Sequence, residues 1–307
     1  MSDRSLEGAT VLVTGGAGFI GSHIADALVD RAEVRVLDDL STGKADYVPE
    51  TAELIVGDVC ETTTLVEAMS GVDVVFHEAA VVSVDDSIAR PLETDSINVD
   101  GTLQVLEAAR REGARVVFAS SAAVYGHPDS IPVPESDRTA PESPYGVSKL
   151  AADQYVRLFA DLYDVPTVAL RYFNVYGPRQ SGEYAGVVTA FVEQARSGGP
   201  ITVHGDGKQT RDFVHVDDVV RANLRAATTD EVGEAFNVGT GSSVTIRELG
   251  EKVRSLVDPD VDIVHTAPRD GDIDESRADT EKSRSRLGFD SKVELSEGLS
   301  TVPGATN

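Results

Sequence analysis

Apolar residues in the first half of the chain fall into short unbroken runs at residues 11–14, 34–38, 54–56, 74–77, 116–120 and 168–172. Most show no polar alternation, which is the pattern of strands buried on both faces of a parallel sheet. Between the runs, Val99, Leu103, Leu106 and Ala109 recur at helical spacing, and so do Ala151, Tyr155, Leu158 and Leu162. Strand and helix alternating in this rhythm predict an α/β fold with a doubly wound parallel sheet.

After Arg171 the texture changes. Glycine and proline become frequent at Gly177, Pro178, Gly182, Gly186, Gly198, Gly199, Pro200, Gly205 and Gly207, a loop-rich signature. The expected division is therefore one domain over residues 1–172 and a smaller C-terminal α/β lobe over 173–307, some of whose segments return to the first domain. Residues 302–307 read as a loose tail.

Composition narrows the function. Hydrophobic residues make up 41% of the 307-residue chain, an ordinary globular value. No apolar run approaches the roughly 20 residues a membrane helix needs, and the N-terminus lacks the pattern of a signal peptide. The single cysteine, Cys60, cannot form an internal disulfide and suits a reducing, cytoplasmic compartment. A net charge of −25 argues against nucleic acid and anionic membrane surfaces as partners. Apart from Lys44, Lys149, Lys208, Lys252, Lys282 and Lys292, every basic side chain is an arginine. Such an acidic, lysine-poor chain suggests a salt-loving host, because near 1 M salt the Debye length falls to about 3 Å and self-repulsion is screened. The histidines and the cysteine show no zinc-ligand spacing. His23, just after a glycine-rich loop, reads as a packed or capping residue.

That loop carries the first chemical signal. Thr14-Gly15-Gly16-Ala17-Gly18-Phe19-Ile20-Gly21 fits GxGxxG through Gly16, Gly18 and Gly21, and GxxGxxG through Gly15, Gly18 and Gly21. It follows the first strand and opens an apolar helix. A dinucleotide's pyrophosphate needs a tight turn, close backbone approach and a free helix N-terminus. This predicts a Rossmann-type NAD site at Gly15, Gly18, Phe19, Ile20 and Gly21. Asp38 ends the second strand, where a carboxylate accepts from ribose hydroxyls and repels a 2′-phosphate, selecting NAD over NADP. Its neighbour Asp39 reads as a solvated turn residue. Asp58, after the third strand, is a candidate for the adenine end, and equally a simple turn aspartate.

Tyr145 and Lys149 lie four residues apart, hence on one face of a helix. A phenol ordinarily titrates near 10, so acting as a base near neutrality takes about 4 kcal/mol of stabilisation. A lysine cation and the positive ring of oxidised NAD are suitable agents. Ser121, at the end of another strand, would meet a substrate hydroxyl beside the cofactor.

With these motifs in place, the chain resembles the extended short-chain dehydrogenase/reductase family, in its NAD-dependent epimerase/dehydratase branch, and is most similar to the UDP-glucose 4-epimerases. The resemblance spans residues 10–300. It rests on the glycine loop, on His77-Glu78-Ala79-Ala80, on Asn98-Val99-Asp100-Gly101-Thr102, on Ser120-Ser121-Ala122-Ala123-Val124-Tyr125-Gly126 and on residues 145–149. Further on it includes Arg171-Tyr172-Phe173-Asn174-Val175-Tyr176-Gly177 and the run from Gly205 to Phe213.

The resemblance implies a UDP-sugar substrate and a catalytic set of Ser121, Tyr145 and Lys149. Tyr145 would take the sugar hydroxyl proton, Lys149 hold the nicotinamide ribose and Ser121 hydrogen-bond the reacting oxygen. It places the nucleotide diphosphate on Asn174, Arg211 and Arg269, although each arginine has an ordinary salt-bridge reading as well. The family's dehydratases carry an Asp-Glu pair where this chain has Ala122-Ala123, which disfavours dehydration and leaves C4 epimerisation. Decarboxylation and keto-sugar reduction remain open. So does a non-catalytic NAD-binding scaffold, against which the complete triad counts. Ser276, four positions after Asp272, matches the position bordering the sugar's C2 substituent, and a small residue there implies room for an N-acetyl group. It is also readable as a solvated loop serine. The stripes at 99–109 and 151–162 fit the family's four-helix homodimer interface, and fit burial against the chain's own sheet equally simply.

Overall fold

The computed structural model describes residues 5–180, 186–269 and 273–306. Its first part runs β1 (Thr10–Thr14), α1 (Phe19–Leu28), β2 (Glu33–Asp38), β3 (Glu53–Val56), α2 (Thr62–Met69), β4 (Val74–His77), α3 (Val84–Ala89) and α4 (Pro91–Asp95). It continues with α5 (Gly101–Glu112), β5 (Arg115–Ser121), α6 (Pro144–Tyr163) and β6 (Thr167–Tyr172). Then come β7 (Asn174–Tyr176), α7 (Val187–Arg196), β8 (Ile201–His204), β9 (Thr210–Arg211), β10 (Phe213–His215) and α8 (Val216–Thr228). The chain closes with β11 (Glu234–Val238), β12 (Val244–Thr245), α9 (Ile246–Val257), β13 (Ile263–Thr266) and α10 (Leu295–Leu299).

Seven strands form one sheet in the order β3-β2-β1-β4-β5-β6-β11, every neighbouring pair parallel. The six strands expected from the apolar runs are all present. Their lack of alternation has a simple cause: both faces are covered. Ile24, Leu28, Val219 and Ala226 of α1 and α8 pack on one face with Val11, Val13 and Phe76. Leu65, Met69, Val105, Leu106 and Val156 of α2, α5 and α6 pack on the other with Leu12, Val75 and Phe118. The strand order reverses between β1 and β4, so their carboxyl ends open the crevice where such sheets bind ligands.

The two helical stripes part company. Leu106 and Ala109 of α5 are buried on the sheet, and Val99 just before them nearly so. On α6 the buried face is instead Lys149, Ala152, Val156 and Phe159, while Tyr155, Leu158 and Leu162 stay 38%, 44% and 60% exposed. Beside them Val84 and Ile88 of α3 and Leu92 of α4 are exposed too. The α6 stripe therefore belongs to an outward apolar face, not to the chain's own core.

Beyond Phe173 the chain crosses between two cores. Phe191, Val192, Ile201, Val203, Leu249 and Val253 build a second core, framed by the parallel pairs β8–β13 and β7–β10. In contrast α8 and β11 belong to the first, with β11 on the edge of the large sheet beyond β6. The expected loose tail is corrected: Val302 and Ala305 are buried in the second core, because small apolar side chains there find α7 and α10 to pack on. Gly182 and the run Asp270-Gly271-Asp272 lie outside the described residues.

Candidate active site

The glycine loop joins β1 to α1 at the crevice. Gly15 has φ +66°, and a Cβ there would stand 2.6 Å from the Ala79 nitrogen; at Gly21 it would stand 2.3 Å from the Gly15 carbonyl oxygen. Only glycine permits both the turn and this closeness. Gly18 caps α1 without a side-chain hydrogen bond, and the first turn of α1 holds no acidic residue. Its free N–H groups and the positive end of its dipole are thus open to a phosphate.

That opening leads into a cavity of about 460 Å³. Gly15, Gly18, Phe19, Ile20 and Gly21 line one end, with Asp38 and Asp58 beside them. Asp38 is 7% exposed. Its Oδ2 accepts from the Ala17 N–H at 2.9 Å and its Oδ1 from the Leu40 N–H at 2.8 Å, which fixes the carboxylate while leaving lone pairs for a ribose. Burial pushes this carboxyl up, against the lowering by those two N–H bonds. Asp39 lines the cavity as well, but its Oδ1 is occupied by the N–H and hydroxyl of Ser41. Asp58 both lines the cavity and accepts from the Cys60 N–H at 2.8 Å, so its turn role is real. The cradle, the open helix end and the oriented carboxylate together fit a dinucleotide.

Ser121, Tyr145 and Lys149 line the other end, with Asn174 nearby. Ser143 caps α6, its hydroxyl accepting from the Gly146 N–H at 3.1 Å, and Pro144 takes the first helical position. This start places Tyr145 and Lys149 one turn apart on the cavity side. Lys149 is 3% exposed; its Nζ donates to the Ala119 carbonyl at 2.9 Å and stands 5.1 Å from the centre of the Phe118 ring. Burial pulls this ammonium down to about 8, with Glu78 opposing. Burial pushes the Tyr145 phenol up, while a hydrogen bond from the Ser121 hydroxyl pulls it down. The protein's own groups therefore do not favour the Tyr145 phenolate, whose stabilisation has to come from bound partners.

Two polar networks that sequence reasoning left without a role hold this wall in place. His77 Nδ1 meets Thr14 Oγ1 at 2.7 Å and its Nε2 meets Thr102 Oγ1 at 2.9 Å. Thr102 donates its own proton to the Asn98 carbonyl at 2.6 Å. The ring is therefore read as carrying its proton on Nε2 and accepting from Thr14 on Nδ1. Burial, aided by Lys149, pushes it down to about 3, so it stays neutral. Asn98, in a π-helical turn at Ser96–Asp100, accepts from the Val81 N–H at 2.8 Å and donates to the Val81 carbonyl at 3.0 Å and Ser148 Oγ at 2.9 Å. Such turns gather at functional sites, and this one pins Val81 beside Ser148 of α6, between Tyr145 and Lys149.

Glu78 and Arg179 also line the cavity and went unassigned from sequence. Glu78 Oε1 accepts from Tyr172 Oη at 2.9 Å. Arg179 pairs with Asp26 at 2.7 Å and lies over the Tyr47 ring. His23 is packed, as expected, with Nε2 3.1 Å from the Pro178 carbonyl oxygen and its ring edge-on to Phe19.

Three expected substrate residues stand apart from the cavity lining. Arg211 lies on β9, its Nη1 donating to the Thr210 carbonyl at 2.8 Å. Ser276 donates its N–H to the same carbonyl at 3.2 Å, so the two residues are brought together on neighbouring backbone. Arg269 is exposed. Asn174 does line the cavity, its Nδ2 donating to the Asp212 carbonyl at 3.3 Å. Among the described residues no cluster of metal-ligating side chains occurs, and no helix is long and apolar enough to cross a membrane.

Comparison with known proteins shows the family and the fold. Residues 11–239 match the model of the NAD dependent epimerase/dehydratase family. The chain is similar to the putative UDP-glucose 4-epimerase of Methanocaldococcus jannaschii, 39% identical over 299 residues, covering 95% of this chain and 96% of that protein. It is also similar to the UDP-N-acetyl-alpha-D-glucosaminuronate decarboxylase of Bacillus cytotoxicus, 35% identical over 264 residues, 83% of this chain and 82% of that one. Among solved structures, the UDP-N-acetylglucosamine 4-epimerase of Methanobrevibacter ruminantium, in complex with UDP-N-acetylmuramic acid, superposes with a TM-score of 0.92 at 36% identity, covering 95% of this chain and 96% of that one.

Proposed function

The chain belongs to the NAD-dependent epimerase/dehydratase family, and from that premise we propose that it interconverts UDP-hexoses epimeric at C4, UDP-glucose and UDP-galactose, through a transient 4-keto sugar. NAD, when bound, would supply the acceptor for the C4 hydride; the 4-keto sugar turns over, and return of the hydride to its other face inverts C4 with no net redox change. Tyr145 accepts the O4 proton as the C4–H bond breaks and gives it back to O4 when that bond re-forms. Ser121 hydrogen-bonds the same oxygen in both states. Lys149 holds the nicotinamide ribose, and its charge favours the phenolate. Gly15, Gly18, Phe19, Ile20 and Gly21 hold the pyrophosphate, Asp38 the adenosine ribose and Asp58 the adenine end. Asn174, Arg211 and Arg269 grip the substrate diphosphate, the arginines through their planar fork.

The observation that carries this reading is the Ser121–Tyr145 hydroxyl pair sharing one cavity with Lys149 and the glycine cradle. Ala122 and Ala123 follow directly in a short turn whose Ala123 N–H donates to Ser121 Oγ at 3.1 Å. Two methyl groups there supply no proton transfer for dehydration. The likeness to a decarboxylase keeps one second reading: the same C4 oxidation of a UDP-hexuronate, followed by loss of carbon dioxide. A small side chain at Ser276 favours acceptance of N-acetylhexosamines. The apolar face of α3, α4 and α6 fits a homodimer.

The test is product analysis after incubating the purified protein at high salt with UDP-glucose, UDP-galactose, their N-acetyl forms and UDP-glucuronate. Interconversion at C4 is expected for both pairs. A 4-keto-6-deoxy sugar, or a pentose from UDP-glucuronate, would replace the epimerase reading, and turnover of hexoses without N-acetylhexosamines would remove the role of Ser276.

A further inference from the structure

Glu78 is a half-buried carboxyl in the wall of the cofactor cavity, and the proposed reaction assigns it no step. Its hydrogen bonding states what it is for. Tyr172 Oη accepts from Asn223 Nδ2 at 2.8 Å and lies 2.9 Å from Glu78 Oε1. The phenol has one proton, and the Asn223 amide occupies its acceptor side, so that proton points at Glu78. The Asn223 amide is itself fixed by donating to the Val219 carbonyl at 2.9 Å. Glu78 thus meets a preset donor, an arrangement that favours the carboxylate over the acid. The strand below is fixed by His77, clamped between Thr14 and Thr102.

The charged and titratable groups facing Glu78 come from four elements. Lys149 and Tyr145 of α6 share the cavity, Tyr172 of β6 donates to it, Ser121 ends β5, and neutral His77 precedes it on β4. Burial pushes Glu78 up to about 7, opposed by the Tyr172 hydrogen bond and then by Lys149. Glu78 in turn holds Lys149 up. At this end of the cavity the wall thus sets the Glu78 carboxyl against the Lys149 ammonium, apart from the aspartates at the glycine-loop end.

We propose that Glu78 sets the oxidation-state preference of the bound cofactor, its carboxylate favouring the cationic NAD⁺ ring over the neutral ring of NADH. The charge on the ring differs by one between the two forms, and in a cavity of low dielectric a fixed anion discriminates between them. This deepens the epimerase reading, since a site that returns its hydride every turnover is stalled by any NADH left behind when a keto sugar escapes. It rests on that reading only for its purpose, because the preference itself is a property of the protein and cofactor alone.

The experiment needs no sugar. Purified holoenzyme is equilibrated at pH 8 with an excess of NAD⁺ and NADH in a fixed ratio, desalted, and the bound fraction of NADH read from its absorbance near 340 nm. Glu78→Gln keeps the acceptor for Tyr172 and removes the charge; it is expected to raise the bound NADH:NAD⁺ ratio about threefold to tenfold. Glu78→Asp, which keeps the carboxylate, is expected to stay nearer the wild-type ratio. A structural role alone would leave Glu78→Gln unchanged. Should that chain lose its cofactor, Tyr172→Phe is the second variant: without the hydrogen bond that favours the carboxylate, it shifts the ratio at pH 7 the same way. Ratios equal to wild type in each variant that retains cofactor overturn the proposal. A shifted ratio in a protein that fails to epimerise any UDP-hexose would sink the reaction and keep the role of Glu78.

Discussion

Tyr145 and Lys149 are each disfavoured in their charged form by the burial that makes the site useful. Burial raises the phenol and lowers the ammonium, and in the proposed reaction a cationic ring and a sugar hydroxyl turn the pair into a base and its support. Tyr145→Phe keeps the ring and removes the proton acceptor, so turnover is expected to fall by about 10²–10⁴-fold while NAD still co-purifies. Stopped turnover with lost cofactor would instead mean a collapsed site. At this scale legibility followed sequence distance. The glycine spacing, the Tyr145–Lys149 pair and Asp38 at a strand end are local patterns and could be read directly. Glu78 could not: its partner Tyr172 is 94 positions away, and nothing in His77-Glu78-Ala79-Ala80 announces a phenol. The pairing of Arg179 with Asp26 was hidden for the same reason. Arg211 and Ser276 were legible as motif positions, but their place on neighbouring backbone at Thr210 depends on strand pairing.

Helix α6 ties Tyr145 and Lys149 to the sheet, and its anchor is buried and ionic. Asp153, on α6, accepts from Arg171 of β6 at 3.0 Å and 3.1 Å and from the Ser120 hydroxyl at 2.7 Å, next to Ser121. Arg171 also donates to Tyr125 Oη at 2.9 Å, which donates onward to Asn237 of β11 at 2.7 Å. Burial pushes the Asp153 carboxyl up, but the hydrogen bonds and charge of Arg171 win and hold it below the usual carboxylate range. Its stability contribution is therefore complete above that range and lost as pH falls through the lower folded value, giving acid-sensitive unfolding. Asp153→Ala leaves a buried guanidinium uncompensated and is expected to cost about 3–5 kcal/mol, measured by urea unfolding at high salt. A loss within 1 kcal/mol, on the order of a surface pair, would contradict the anchoring role. Six of the seven sheet strands were visible in the sequence because burial on both faces erases alternation. The direction of the α6 stripe was not, because Ala151, Tyr155, Leu158 and Leu162 look the same whether they meet a sheet or a second molecule. Only the competing face at Lys149, Ala152, Val156 and Phe159 decides it.

For the molecule as a whole, the apolar face of α3, α4 and α6 and the charge of −25 make two predictions. Leu158→Glu with Leu162→Glu, both on the exposed stripe, is expected to convert a dimer to a monomer in sedimentation equilibrium; a wild-type protein already monomeric at micromolar concentration would remove the dimer. Thermal stability is expected to fall as salt is diluted from about 1 M to 0.1 M, where the Debye length grows from about 3 Å to about 10 Å and acidic repulsion is no longer screened. An unchanged melting temperature across that range would argue against a salt-adapted protein. The division into two cores was only partly legible: Gly and Pro after Arg171 announced a new texture, yet α8 and β11 return to the first core through long-range packing that no local pattern encodes. The central claim is reversible hydride removal at C4, and it is tested most directly with UDP-glucose deuterated at C4. The expected product is UDP-galactose that keeps its deuterium at C4, with no net NADH formed. Loss of the label to solvent, or a product lacking C6 or its hydroxyl, would contradict it.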